Sequence, residues 1–105
     1  MNQMQQMLMN AQRMQRELQK AHAALAAKEF PVSKEFPVSK GGMVNLVMMG
    51  DRTVKSLTFD KDALDPENAE LLAETITMAF NEALEQINKE NDAIEERVTG
   101  KNGLF

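Results

Sequence analysis

Residues 43–59 read MVNLVMMGDRTVKSLTF, and this stretch decides the architecture. It holds two apolar runs of strand length, MVNLVMM (43–49) and TVKSLTF (53–59), parted by Gly50-Asp51-Arg52. A break of that kind between two runs of β-formers is a hairpin signal. Alternation puts Val44, Leu46 and Met48 on one face of the first strand. Lys55, Leu57 and Phe59 share a face of the second, and only two of these three are apolar. Val47 and Met49 point the other way, so both faces of the sheet are expected to be partly covered, which calls for a second subunit.

Helices flank this hairpin. Residues 2–27 contain neither Gly nor Pro and are rich in Gln, Met, Arg, Leu and Ala, all good helix formers. Met4, Met7, Ala11, Met14, Leu18, Ala21 and Leu25 alternate spacings of three and four, which is a heptad seam and needs a partner. On the other side, LDPEN (64–68) announces a helix. Asp65 is the expected N-cap, Pro66 suits the first helical position, Glu67 meets the positive end of the dipole, and Leu64 is expected to staple onto Ala69. Leu72, Ile76, Ala79, Phe80, Ala83, Leu84 and Ile87 make the buried stripe. Ile94 and Val98 extend it, and Gly100 is expected to end it. The fold class is therefore α+β, in the order α-β-β-β-α, with a small antiparallel sheet and two long helices. The missing strand comes from KEFPVSKEFPVSK (28–40), in which one hexapeptide occurs twice without change.

At 105 residues the chain forms one domain. It has no Cys, which fits a reducing compartment. The opening MNQMQQMLMN has neither a basic start nor an unbroken apolar stretch, so no signal peptide is expected, and no segment reaches the apolar length of a membrane span. A cytoplasmic protein is expected. The net charge of −4 conceals a polarity: residues 1–40 carry +3, 41–59 carry +1, 60–98 carry −9 and the last seven +1.

The chemical inventory points away from an enzyme. The one His, His22, lies beside the seam with no nucleophile or carboxylate near it in sequence, and reads as a helix-surface or interface residue. DKDALDPE (60–67) lacks the Gly and closing Glu of a calcium loop and is better read as a helix start, so no metal is expected. No glycine-rich phosphate loop or other cofactor signature occurs. What remains is a basic helix face. Arg13, Arg16 and Lys20 fall at i, i+3 and i+7, opposite the seam and flanked by Gln5, Gln6, Gln12 and Gln19. Cations and amides without aromatics suit phosphate contact rather than base stacking. The competing reading is a solvated face on a dimeric module whose acidic second helix docks a protein partner.

MQQMLMNAQRMQRELQKAHAALA, GGMVNLVMMGDRTVKSLTF and DKDALDPENAELLAETITMAFNEALEQI together resemble the YbaB/EbfC family of bacterial nucleoid-associated proteins. The last segment, with its D-P start and its Leu-, Ile-, Ala- and Asn-spaced helix, is the most specific of the three. The resemblance implies an intertwined homodimer with a shared core, DNA binding in the nucleoid, and a link to gene expression or recombinational repair and its proteins. Carried onto this sequence, it makes Arg13, Arg16 and Lys20 the DNA-binding residues, with Lys101 in a flexible tail (99–105) as a weaker one. Met7, Met14, Leu18, Leu46 and Phe80 are assigned to the dimer interface. The family pattern leaves room for one strand between the first helix and GGMVNLVMM, so one copy of the hexapeptide in 28–39 is surplus. The expectation is that Phe36–Lys40 pairs with Met43–Met49, because Lys40-Gly41-Gly42 makes a short hairpin loop, and that Lys28–Ser33 is a connector. Pro31 and Pro37 confine either copy to an edge or a strand start. Six is even, so a slip by one copy keeps Phe and Val on the same face.

Overall fold

The fold is α-β-β-β-α, seen in a computed structural model that describes residues 2–35 and 42–101, and of Lys101 the backbone alone. Helix α1 spans Gln3–Ala26. Asn2 caps it, its side-chain oxygen accepting from the Gln5 N–H at 2.8 Å, so one of the unpaired first-turn donors is satisfied. Strands β1 (Glu29–Glu35), β2 (Met43–Met49) and β3 (Val54–Phe59) form an antiparallel sheet in that order. Two 3-10 turns, Lys61–Leu64 and Pro66–Asn68, lead into α2 (Ala69–Lys101). The long helix lies across one face of the sheet and then runs on beside α1, giving a body 70 × 21 × 16 Å.

The core sits between α2 and the sheet. Phe30, Val32, Leu46 and Met48 come from the strands and Ala79, Ala83 and Ile87 from α2, all nearly inaccessible. Each large side chain here contributes about 1.5–3 kcal/mol by leaving water, and the two alanines keep the helix axis close to the sheet. Leu25, Ile94 and Val98 continue the core between the helices. The expected stripe on α2 is divided. Ala79, Ala83 and Ile87 are buried, whereas Leu72, Ile76, Phe80 and Leu84 are half-exposed along its flank.

The strand assignment within the repeat is corrected. The first copy is the strand, with Phe30 opposite Met48, Val32 opposite Leu46 and Lys34 opposite Val44. Lys28–Ser33 is therefore not a connector; Phe36–Lys40 and the Lys40-Gly41 part of the expected loop lie outside the described residues. The reason is at the other end of the strand. The Lys28 N–H donates to the Leu25 carbonyl at 3.0 Å, and the Lys28 carbonyl accepts from the Gly50 N–H at 2.9 Å. The chain thus passes from helix to sheet with almost no slack, and closing a longer loop afterwards costs little more. Pro31 stands on an edge strand, where its missing N–H is tolerated.

Two further details depart from the alternation pattern. The β2–β3 register shifts between Val47 and Met48, which leaves Lys55 as the extra residue of a bulge. Lys55 is exposed and its ammonium meets the Glu29 carboxylate across the open face of the sheet. Ahead of α2, Asp65 does accept from the Glu67 N–H, at 3.0 Å. Leu64, however, is 63 % exposed and staples nothing, while its neighbour Ala63 is buried in its place. Nor does Gly100 end α2. Helical hydrogen bonding carries through it to Lys101, aided by buried Val98 and by the Thr99 hydroxyl donating to the Glu95 carbonyl at 2.6 Å. A glycine within a helix costs up to about 1 kcal/mol relative to Ala, less in a last turn such as this, and packing at Val98 can offset it.

In the β2–β3 turn Arg52 adopts φ 70°, a left-handed conformation. Its guanidinium donates to Asn88 Oδ1 at 2.6 Å, tying the turn to α2. Asp51 accepts from both the backbone N–H and the hydroxyl of Thr53. These bonds favour the carboxylate and lower its pKa from 3.8, the hydroxyl contributing most. A depressed folded-state pKa means that the contribution is complete above the unfolded value and is lost as pH falls through the folded one. The Tm difference between the parent and an Asp51→Asn variant is therefore expected to shrink as pH is lowered from 5 to 3; a constant difference would rule out this linkage.

Candidate nucleic-acid interface

The second half of α1 packs antiparallel against the last turns of α2. Leu25 is buried there, with Met14, Leu18 and Ala21 partly buried beside the core. One pair between the helices and one just past the end of α1 fix the alignment: His22 Nε2 lies 3.1 Å from a Glu95 carboxylate oxygen, and Lys28 Nζ lies 2.5 Å from one of Glu90. Carried along, this alignment brings the last described turn of α2 abreast of α1 near Arg16. The N-terminal half of α1 projects beyond it, and Met4, Met7 and Leu8 are 78 %, 66 % and 60 % exposed.

Arg13, Arg16 and Lys20 are all exposed. They occupy one arc of α1 on the side away from the Met14–Leu18–Leu25 contact, because residues three, four and seven apart return to the same side of a 3.6-residue helix. Seven residues at 1.5 Å each spread them over about 10 Å of axis. Among the described residues none of the three forms an ion pair or side-chain hydrogen bond, in contrast to Lys28, Lys34, Lys55 and Lys89, each of which meets a glutamate. Unneutralised, clustered cations on a rigid rod are what a polyanion requires.

The structure adds a residue that the linear reading did not single out. Arg97, on α2, lines an open groove together with Glu17, Lys20, Ala21, Ala24 and Val98. It is exposed and, among the described residues, has no carboxylate partner. The alanines on the α1 side make the groove shallow, so Arg97 reaches the edge of the α1 cationic face beside Lys20. In the sequence it stands within an acidic stretch whose mean charge conceals it. Lys101, the weaker candidate, lies in the last described turn of α2, and its side chain is outside the described part.

The remaining residues singled out from sequence fall as follows. His22 is half-buried and meets the Glu95 carboxylate. Among the described residues no group of His, Asp and Glu could hold a metal ion, and no helix is long and apolar enough to cross a membrane. Of the residues assigned to a subunit interface, Met14, Leu18 and Phe80 are half-buried and Met7 is exposed. Leu46 is 1 % exposed. It packs in this chain's own core.

An α+β fold that presents exposed cations unpaired among the described residues along one helix has the make-up of a polyanion-binding protein. The family whose sequence pattern matches, over residues 1–102, is the YbaB/EbfC DNA-binding family, and the chain belongs to it. Relatives called nucleoid-associated proteins include one from Enterococcus faecalis, 39 % identical over 89 % of this chain and 85 % of its own length. Another, from Ruminiclostridium cellulolyticum, is 31 % identical over 90 % and 77 %. A third, from Metamycoplasma arthritidis, is 34 % identical over 84 % and 85 %.

Proposed function

We propose that this is a nucleoid-associated protein of the bacterial cytoplasm that acts as a homodimer and binds DNA mainly through phosphate contacts from α1, with Arg97 extending the contact surface. One observation carries the reading: Arg13, Arg16 and Lys20 share one exposed arc and have no acidic partner among the described residues. Exposed cations on a helix surface, without aromatic side chains around them, favour phosphate contact over base stacking and hence largely sequence-independent binding. Such coverage suits nucleoid organisation, and through it gene expression, better than recognition of a single site.

The dimer is supported by apolar surface that one chain leaves wet. Met4, Met7 and Leu8 on α1 and Met78 on α2 are more than half exposed, and the flank Leu72, Ile76, Phe80 and Leu84 is only half covered. A second copy would cover these apolar side chains, which lie toward both ends of the body. A dimer also doubles the cationic set, to about six α1 charges for phosphate contact.

Gel shifts on unrelated duplexes across a salt series, together with solution mass, test the reading. The expected mass is twice 11.8 kDa, and binding weakens steadily as salt rises. A monomer that gives no shift at low salt overturns the proposal and favours a protein-docking role for acidic α2.

A further inference from the structure

Nine of the 105 residues are methionine, and the described ones differ widely in exposure. Met48 is 2 % exposed in the core, whereas Met4, Met7 and Met9, on the projecting half of α1, are 78 %, 66 % and 46 % exposed. We propose that Met9 is an oxidation site within the DNA-contacting face: a hydroperoxide converts its thioether to the sulfoxide, which weakens DNA binding, and bound DNA shields it.

Met9 falls on the cationic arc of α1. It precedes Arg13 by four residues, Arg16 by seven and Lys20 by eleven, intervals that return to one side of the helix. The arc from Met9 to Lys20 covers about 16 Å of axis at about 1.5 Å per residue. Three and four residues from Met9 stand Gln5, Gln6, Gln12 and Arg13, so a large apolar side chain sits on a polar face with no apolar neighbour at helical spacing to cover it. Met4 and Met7 do not share this arc. Met7 is two residues from Met9, which is about 200° round the helix. It belongs with Met14 and Leu18 on the seam, and those two pack against the core. An apolar group among phosphate-directed cations has a natural counterpart in DNA, the apolar edge of the deoxyribose between successive phosphates.

A thioether needs only access to react. Its sulfur lone pair attacks one peroxide oxygen, the S–O bond forms as the O–O bond breaks, and the departing hydroxide takes up the remaining proton and leaves as water. Sulfur loses two electrons and the peroxide gains them. The flexible apolar side chain becomes a polar one, and the new oxygen accepts hydrogen bonds but donates none. Against DNA it therefore replaces an apolar contact by an acceptor facing the phosphate oxygens. Methionine sulfoxide reductases restore the thioether. No charge changes in the step, so affinity falls while its salt slope stays the same. The inference rests on the DNA-binding reading.

Hydrogen peroxide applied to the full chain with and without excess duplex DNA at low salt, followed by tandem mass spectrometry of each methionine, tests the site. Met9 is expected to be modified several-fold more slowly in the complex, Met4 and Met7 at similar rates in both samples, and Met48 slowest in each. The peroxide-treated protein and a Met9→Gln variant should bind about fourfold more weakly per protomer, the equivalent of one buried methylene, with the salt slope unchanged. Met9→Leu keeps the apolar contact and has no sulfur, so it should hold the parent's affinity after peroxide. Two results overturn the proposal and leave the DNA-binding reading standing, provided the parent shifts DNA. One is a duplex effect no larger on Met9 than on Met4 and Met7; the other is a Met9→Leu variant that loses as much affinity to peroxide as the parent does. A parent that gives no shift at low salt overturns both.

Discussion

An Arg13→Ala/Arg16→Ala/Lys20→Ala variant is expected to bind duplex DNA at least about 10³-fold more weakly than the parent at 50 mM salt, and to lose most of the salt dependence. Each phosphate neutralised by a cation contributes about −0.9 to the slope of log K against log salt. About six α1 cations and two Arg97 side chains in a dimer therefore give a slope of roughly −7, and raising salt from 50 to 200 mM should weaken the parent by about 10⁴-fold. The triple variant keeps only the Arg97 contribution, a slope of about −2, and adding Arg97→Ala should remove that too. Stability supplies the control. All three side chains are exposed and unpaired among the described residues, so their loss should move stability by no more than about 0.5 kcal/mol. Alanine is also the better helix former. A triple variant with unchanged Tm and affinity within about threefold of the parent would remove DNA from this face altogether.

The same contrast bears on the acidic half of the chain. Residues 60–98 carry −9, and a polyanion would be repelled by them if they met it. The fold separates the two regions. Asp60, Asp62, Asp65, Glu67, Glu70 and Glu74 cluster about the start of α2, whereas the cations sit on α1 at the opposite end of a 70 Å body. That distance is several Debye lengths at physiological salt, so the acids do little to oppose binding at the other end. Of their nearer members, Glu90 and Glu95 are engaged by Lys28 and His22, while Asp92 and Glu96 have no ion pair among the described residues.

What could be read from the chain alone follows from how local each signal is. The hairpin and the Asp65 cap are written within a few residues and are present in the fold; of the heptad seam, Met14, Leu18, Ala21 and Leu25 pack against the core, whereas Met4, Met7 and Ala11 are exposed. The choice between repeat copies was not local. The short Gly41-Gly42 loop is visible in the sequence, but the competing closure, Leu25 to Lys28 to Gly50, joins three separate elements and appears only once they are packed. The Lys55 bulge is invisible for the same reason, since alternation predicts a face and not a ladder irregularity. Arg97 was missed because its charge is outnumbered along the chain. It belongs to the candidate site only through the antiparallel alignment set by His22–Glu95.

Gly50→Ala is expected to be among the most damaging single substitutions in the protein. A Cβ at this position would lie 1.7 Å from the Leu25 carbonyl oxygen and 2.5 Å from its carbonyl carbon, so the obstacle is backbone and cannot swing aside. The φ of Gly50 is not in the left-handed region, so the cost is one of space and not of backbone conformation. Relief requires the turn to retreat from the end of α1, which breaks the Gly50 N–H to Lys28 carbonyl bond at 2.9 Å and pulls Leu25 from the core. Overpacking together with a lost backbone bond should cost at least about 3 kcal/mol. For a domain of this size that lowers Tm by more than about 12 °C. Gly100→Ala makes the opposite case: a Cβ there has nothing within 4 Å, so the substitution in the last turn of α2 should stabilise, by up to about 0.5 kcal/mol. Thermal unfolding of the two variants reads both signs. A Gly50→Ala protein as stable as the parent would mean that α1 does not meet the hairpin turn as described, and the direction in which Arg13, Arg16 and Lys20 are presented would be lost with that contact.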